Sequence, residues 1–337
     1  MARVSRRTFL GSGVALGGAA LLGRRGFAAD GDTLTLYNGQ HRNTTEALVK
    51  AFTAETGVRV TMRNAESPEL ASQIVEEGSR SPADLFFSEQ SPPIASVGEK
   101  GLLARVDPAT LKQIPAAYAA ADGTWIGATV RTRVIGYNKK MAAPGDLPAS
   151  ILDVATPRFK DRVAYAKGDG FQEQIMAIVR TKGRDAALGW LKGLKENGRS
   201  YNGNRAAMNA VENGDIAMCL TNNYYWYSMA REAGAEKLNS ALHLVAPTDP
   251  GALLTVSAVG ILKSSAKAAL AQRFLAFLVS DKGQAAMVDT VAEYPVRAGV
   301  TSPYPLAPLD RFRAPVTPGQ LGDASEAYAL EREAGLI

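Results

Sequence analysis

The sequence predicts an α/β protein of two lobes, built on mixed but mostly parallel sheets and joined at a hinge. Three observations predict it. Strand-like and helix-like segments alternate as βαβαβ between residues 34 and 87, the pattern that feeds a parallel sheet. A second alternation starts after residue 133. Once the leader described below is removed, about 308 residues remain, more than one core usually serves.

In order, Leu34–Tyr37 reads as a strand. Asn43–Thr56 reads as a helix with Ala47, Leu48, Ala51 and Phe52 on one face, closed by Gly57. Val58–Met62 is the second strand. Ser67-Pro68-Glu69 opens a helix with a cap, a first-turn proline and an acid; Leu70, Ile74 and Val75 form its apolar stripe and Gly78 ends it. Asp84–Phe87 is the third strand. Arg133–Tyr137 and Val163–Tyr165 read as strands, and Phe171–Lys182, Arg184–Asn197 and Arg205–Asn213 as helices. Ile216–Leu220 is a strand leading into Thr221-Asn222-Asn223-Tyr224-Tyr225-Trp226-Tyr227, with Tyr224–Glu232 helical. Leu253–Leu262 is a long apolar strand, followed by helices at Ala266–Val279 and Lys282–Asp289. The Pro-rich stretch from Thr301 to Pro318 reads as irregular surface chain. Crossings between lobes are placed near 128–133 and 252–257. This gives an N-terminal lobe of 30–131 with 254–305 and a C-terminal lobe of 132–253 with 306–337.

The first residues set the compartment. Ser5-Arg6-Arg7-Thr8-Phe9-Leu10 has twin-arginine spacing, an apolar stretch runs from Gly11 to Leu22, and Gly26-Phe27-Ala28-Ala29 offers small residues for cleavage. That apolar stretch falls short of the roughly 20 residues a membrane span needs. Residues 1–29 are therefore read as a twin-arginine signal peptide directing the chain to the periplasm. The leader carries Arg3, Arg6, Arg7, Arg24 and Arg25 and no acid, which leaves 33 Lys+Arg against 33 Asp+Glu. A near-neutral mature chain gives no support for nucleic-acid binding. Cys219 has no intramolecular partner and sits in an apolar strand, so it reads as a buried, inert thiol.

Two adjacent tyrosines reach one point only from a turn or a helix start, because their side chains diverge by about 100° in a helix and oppose one another in a strand. Asn222 and Asn223 supply such a start as N-cap residues, and the positive end of the helix dipole there favours phenolate. The aromatic run admits two readings, a packing cluster at a lobe interface or a pair of hard oxygen donors. Phenolates suit a hard trivalent ion such as Fe3+ better than zinc or copper. His41 follows the first strand and Glu89 the third, so both sit at strand ends where ligands of α/β proteins bind. Taken singly, a surface histidine such as His41 is more often solvated, and Glu89 is equally the first-turn acid of the helix that follows.

The stretches Tyr37-Asn38-Gly39-Gln40-His41, Glu77-Gly78-Ser79-Arg80-Ser81-Pro82-Ala83-Asp84, Ser88-Glu89-Gln90 and Asn222-Asn223-Tyr224-Tyr225-Trp226 resemble the bacterial periplasmic ferric-ion-binding proteins, the transferrin-like receptors of iron ABC importers. Ala155-Thr156-Pro157, Gly189-Trp190-Leu191-Lys192-Gly193-Leu194-Lys195, Ala210-Val211-Glu212-Asn213-Gly214, Asp249-Pro250-Gly251-Ala252-Leu253 and Glu293-Tyr294-Pro295 extend the match along the chain. The resemblance implies a type II periplasmic-binding-protein fold. It implies Fe3+ held by His41, Glu89, Tyr224 and Tyr225, with water and a synergistic anion, carbonate or phosphate, completing the shell. Asn204 and Asn222 match amides that help hold that anion. Arg131 and Arg133 match an Arg-x-Arg of the family and, with Arg205, are candidates to balance the anionic shell.

One departure bears on the anion. Where the family commonly reads Thr-Ser-Gly-Ala-Phe-Leu-Glu-Gln, this chain has Gly168-Asp169-Gly170-Phe171-Gln172-Glu173-Gln174, one residue shorter. A helix start at Asp169 and Gly170 offers N–H donors to an anion, but the Asp169 carboxylate opposes phosphate. Carbonate, citrate or Asp169 itself is the expected occupant. Phe171 stands where some relatives carry a further tyrosine, so two tyrosines are expected. The implied partner is an inner-membrane ABC permease, and the implied state is a monomer. The chief rival is a receptor of the same fold for an organic cation or phosphonate, thiamine or polyamine among them, stacking its ligand on the aromatics. A metal-dependent hydrolase finds no His or Cys pair at metal spacing; only His41 and His243 are present, and His243 reads as structural within the Leu242–Val245 strand.

Overall fold

The computed structural model describes residues 33–337, apart from the side chain of Asp169. The twin-arginine leader lies outside the described residues. The chain runs β1 (Thr33–Asn38), α1 (Arg42–Thr56), β2 (Arg59–Asn64), α2 (Ser67–Glu77), β3 (Leu85–Ser88), α3 (Ser91–Glu99), β4 (Leu103–Ala104) and α4 (Pro108–Leu111). Next come β5 (Trp125–Asn138), β6 (Val163–Ala166), α5 (Asp169–Lys182), α6 (Arg184–Asn197), β7 (Arg199–Tyr201), α7 (Asn204–Asn213), β8 (Met218–Asn222), α8 (Asn223–Ala233) and β9 (Ser240–His243). The last elements are β10 (Leu254–Leu262), α9 (Ala268–Leu278), α10 (Asp281–Val288), β11 (Tyr294–Pro295) and α11 (Ser325–Glu333).

The strands form a mixed α/β arrangement in the order β2-β1-β3-β10-β5-β8-β6-β7. β1 pairs in parallel with β2 and β3, and β6 in parallel with β7 and β8. Between these parallel groups lie β5 and β10, which run antiparallel to their neighbours. The strand read from sequence at Arg133–Tyr137 is the second half of the 14-residue β5. Its first half escapes the period-2 pattern because it is covered on both faces, and all of Trp125–Thr132 is buried. Trp125, Ile126, Ala128 and Val130 join the apolar cluster around β1, β3, α1 and α9. Farther along the same strand, Ile135 joins a second cluster around β6, α5, α6 and α11.

This topology decides where ligand groups can sit. β1 and β3 are parallel neighbours, so the residues after each emerge at the same sheet edge. β8 pairs with the second half of β5, with Asn222 opposite Arg133, so the start of α8 arrives beside the middle of β5.

Candidate metal centre

The His41 turn is built by its own side chains. Asn38 Oδ1 accepts from Gln40 N at 3.3 Å and from the Thr45 hydroxyl at 2.8 Å, while its Nδ2 donates to Gln40 O at 3.0 Å. Gln40 Oε1 then accepts from His41 N at 2.7 Å. Glu89 lies one residue past β3, its backbone N–H donating to Ser67 Oγ at 2.9 Å. The tyrosines occupy the first turn of α8, which begins as β8 ends.

Asn222 stands at the N-cap of α8 but makes no side-chain cap bond, against the sequence expectation. Its amide is engaged elsewhere: Oδ1 accepts from Arg133 Nη1 at 2.9 Å and Nδ2 donates to Tyr224 OH at 3.4 Å. Asn223 is likewise committed, accepting from Thr132 N at 3.1 Å and donating to Ala292 O at 3.0 Å.

The four candidate donors meet. His41 Nε2 lies 3.9 Å from Glu89 Oε1, and Tyr224 OH donates to the same oxygen at 3.2 Å. The His41 and Tyr224 rings meet edge-on at 5.2 Å and 76°, and the Tyr225 ring lies 4.4 Å from that of Tyr224. His41 Nε2 is buried with no hydrogen-bond partner among the described residues. Such an orphaned nitrogen is costly unless something else completes it. His41, Tyr224 and Tyr225 line a cleft of about 420 Å³ together with Asn43, Arg205, Ser228 and Tyr304. A larger, mainly apolar hollow of about 680 Å³ lies against Trp226, Tyr227 and Pro305 and includes none of the four donors.

The anion candidates flank this group. A Cβ added at Gly170 would meet Arg133 Nη1 at 2.9 Å and the Asn222 amide at 3.5 Å, so the backbone there packs directly on that pair. Asn204 Oδ1 is buried without a partner among the described residues. The Asp169 side chain lies outside the described residues. Arg205 sits over the Tyr225 ring, its Cζ 5.8 Å from the centroid. Arg131 is fully buried and bonds Glu293 Oε1 through Nη1 at 3.1 Å, leaving Nε and Nη2 without partners among the described residues. The second Glu293 oxygen accepts from the Thr129 hydroxyl.

Burial governs the phenols. The Tyr224 hydroxyl is held well above its ordinary value, first by burial and then by the Glu89 carboxylate and Tyr225, with Arg131 opposing. Tyr225 is also raised by burial, while hydrogen bonds from the Tyr224 and Asn204 side chains pull back. The dipole of α8 therefore does not ionise these phenols unaided. A trivalent cation reverses the preference, because it favours the deprotonated ligand far more than water does. Arg131 keeps its charge against burial because Glu293, Glu89 and Tyr224 outweigh it, whereas burial lowers Arg133. No group of three or more His, Cys, Asp or Glu residues able to hold a metal occurs among the described residues.

Nothing in the residue types marks a role for Gln90, Glu293 or Tyr304 at the site. Gln90 is buried beside Glu89 with Oε1 unpartnered among the described residues, and its place in Ser88-Glu89-Gln90 was the available signal. Tyr304 reaches the cleft from the Pro-rich segment, where no periodicity marks it.

The model of the bacterial extracellular solute-binding protein family matches residues 47–307. The chain belongs to that family. Within it, the chain falls among the ferric-ion-binding proteins. It is 43% identical over 310 residues to the major ferric iron-binding protein of Neisseria meningitidis, covering 90% of this chain and 93% of that one. It is 35% identical over 335 residues to the Fe(3+)-binding periplasmic protein of Serratia marcescens, covering 98% and 99%. The crystal structure of iron-bound HitA from Pseudomonas aeruginosa superposes with a TM-score of 0.86 at 46% identity, covering 90% of this chain and 99% of that chain. The fold is that of the type II periplasmic binding proteins.

Proposed function

We propose that this protein is a periplasmic receptor that captures Fe3+ in a cleft and delivers it to an inner-membrane ABC permease. The observation that carries the reading is the convergence of an imidazole, a carboxylate and two phenols from three separate strand ends, with His41 Nε2 left unpartnered at their centre. Two or more phenolate and carboxylate oxygens with one imidazole form a hard donor set suited to ferric ion.

The described chain up to residue 131 with 254–305 forms one lobe, and residues 132–253 with 306–337 form the other. The first supplies His41 and Glu89, and the second supplies Tyr224 and Tyr225. Iron bridging them favours the closed form by its differential affinity. A synergistic anion sits against Gly170, Asn204 and Asn222 at the start of α5, with Asp169 disfavouring phosphate. Arg131, Arg133 and Arg205 offset the charge of the shell. The protein is exported by the twin-arginine route and acts as a monomer.

The test is a visible absorption titration of iron-free protein with ferric citrate, beside a Tyr224→Phe, Tyr225→Phe double variant. A phenolate-to-iron charge-transfer band saturating at one iron in the wild type and absent from the variant is expected. A wild type with no band would return the aromatics to packing or to stacking an organic solute.

A further inference from the structure

Ser67 opens α2, and the sequence casts its hydroxyl as the helix cap. The structure places Glu66 at the N-cap, with no side-chain cap bond, and uses the Ser67 hydroxyl elsewhere. Ser67 is 1% exposed, and its Oγ donates to Gly39 O at 3.3 Å while accepting from Glu89 N at 2.9 Å. One buried oxygen thus joins the turn that carries His41 to the turn that carries Glu89. The junction is closed by a third bond, Gly39 N to Phe87 O at 2.7 Å. Gly39 has no room for a side chain: an added Cβ would collide with Ser67 Oγ and lie 2.8 Å from Ser67 Cα.

We infer that Ser67 is a positioning residue for iron capture, holding the Glu89 backbone so that the carboxylate stands 3.9 Å from His41 Nε2 before any metal arrives. The hydroxyl bonds the Glu89 backbone and none of the candidate metal-donor side-chain atoms, so its effect on iron runs through the placement of Glu89. Without it, the half-buried Glu89 N–H loses its protein partner and the turn must search for its bonded geometry during binding. Ligand groups held by such supporting bonds commonly lose 10–100-fold in affinity when the support is removed.

This inference rests on the ferric reading, and the experiment separates the two. Iron affinity is measured by chelator competition in the wild type, Ser67→Ala, Glu89→Ala and the double variant, with thermal unfolding of each iron-free protein alongside. Ser67→Ala is expected to weaken iron about tenfold while keeping the tyrosinate band, since Tyr224 and Tyr225 are untouched. In the Glu89→Ala background the same substitution should change affinity by less than about twofold, because coupled groups are non-additive. A full tenfold loss in both backgrounds, or none in either, overturns the assignment. Gly39→Ala serves as a second variant, since it retains the hydroxyl but drives it from its position, and the same coupling to Glu89 is expected. A wild type without the band would remove the ferric reading itself.

Discussion

Burial makes a countable demand on iron capture. Tyr224 and Tyr225 are both held protonated above the ordinary phenol range, so each must give up one proton to become a ligand. Affinity therefore rises with pH throughout the neutral range, and acid releases the metal. Two protons correspond to a slope of about two in log affinity against pH, or roughly a hundredfold between pH 7 and pH 8 from the phenols alone. The perturbation is Tyr225→Phe, which removes one of these protons and leaves Glu89, His41 and Tyr224 in place. The assay is competition against a ferric chelator at several pH values for both proteins. The chelator's own protons, and those of every ligand the two proteins share, cancel in the comparison. The slope for the variant should fall by one unit, so the penalty for losing Tyr225 should grow about tenfold per pH unit. Parallel lines for the two proteins would refute ligation by a phenolate at this position.

Glu293→Ala is expected to cost about 3–5 kcal/mol in denaturant unfolding, because it strands the guanidinium of Arg131 at a site where both partners are fully buried; a loss under 1 kcal/mol would show the pair to be dispensable. Burial pushes the Cys219 thiol up to about 12, so a thiol-alkylating reagent at pH 8 should leave the folded protein unmodified and react only after unfolding. Iron affinity should be comparable with and without added phosphate, given an acid at the start of α5, and strict dependence on phosphate would discard the carbonate, citrate or Asp169 alternative.

The parts legible in the sequence are those whose signal is local. The alternation of strands and helices, the end of α1 at Gly57 and the limits of α6 follow from periodicity and stop signals within a dozen residues. The tyrosine pair is legible because a strand, two asparagines and a helix stand in sequence. What escaped depends on distance along the chain. Glu293 meets Arg131 across 162 positions, and neither residue announces the other. The first half of β5 loses its pattern to burial on both faces, and Glu89, a first-turn acid by residue type, falls two positions before α3 begins at Ser91. Residue type alone casts Ser67 and Asn222 as caps. In the folded chain, stronger claims come from Glu89 N and from Arg133.

Glu89 and Tyr224 touch although 135 positions separate them in the chain. Closing so long a loop is entropically expensive, so an unfolded chain keeps no competing version of the site. Iron then acts as a ligand of the native state alone, and its occupancy enters the folding equilibrium by mass action. At a free concentration a thousand times the dissociation constant this adds about 4 kcal/mol to unfolding, a reserve the protein holds while loaded and loses when the iron leaves.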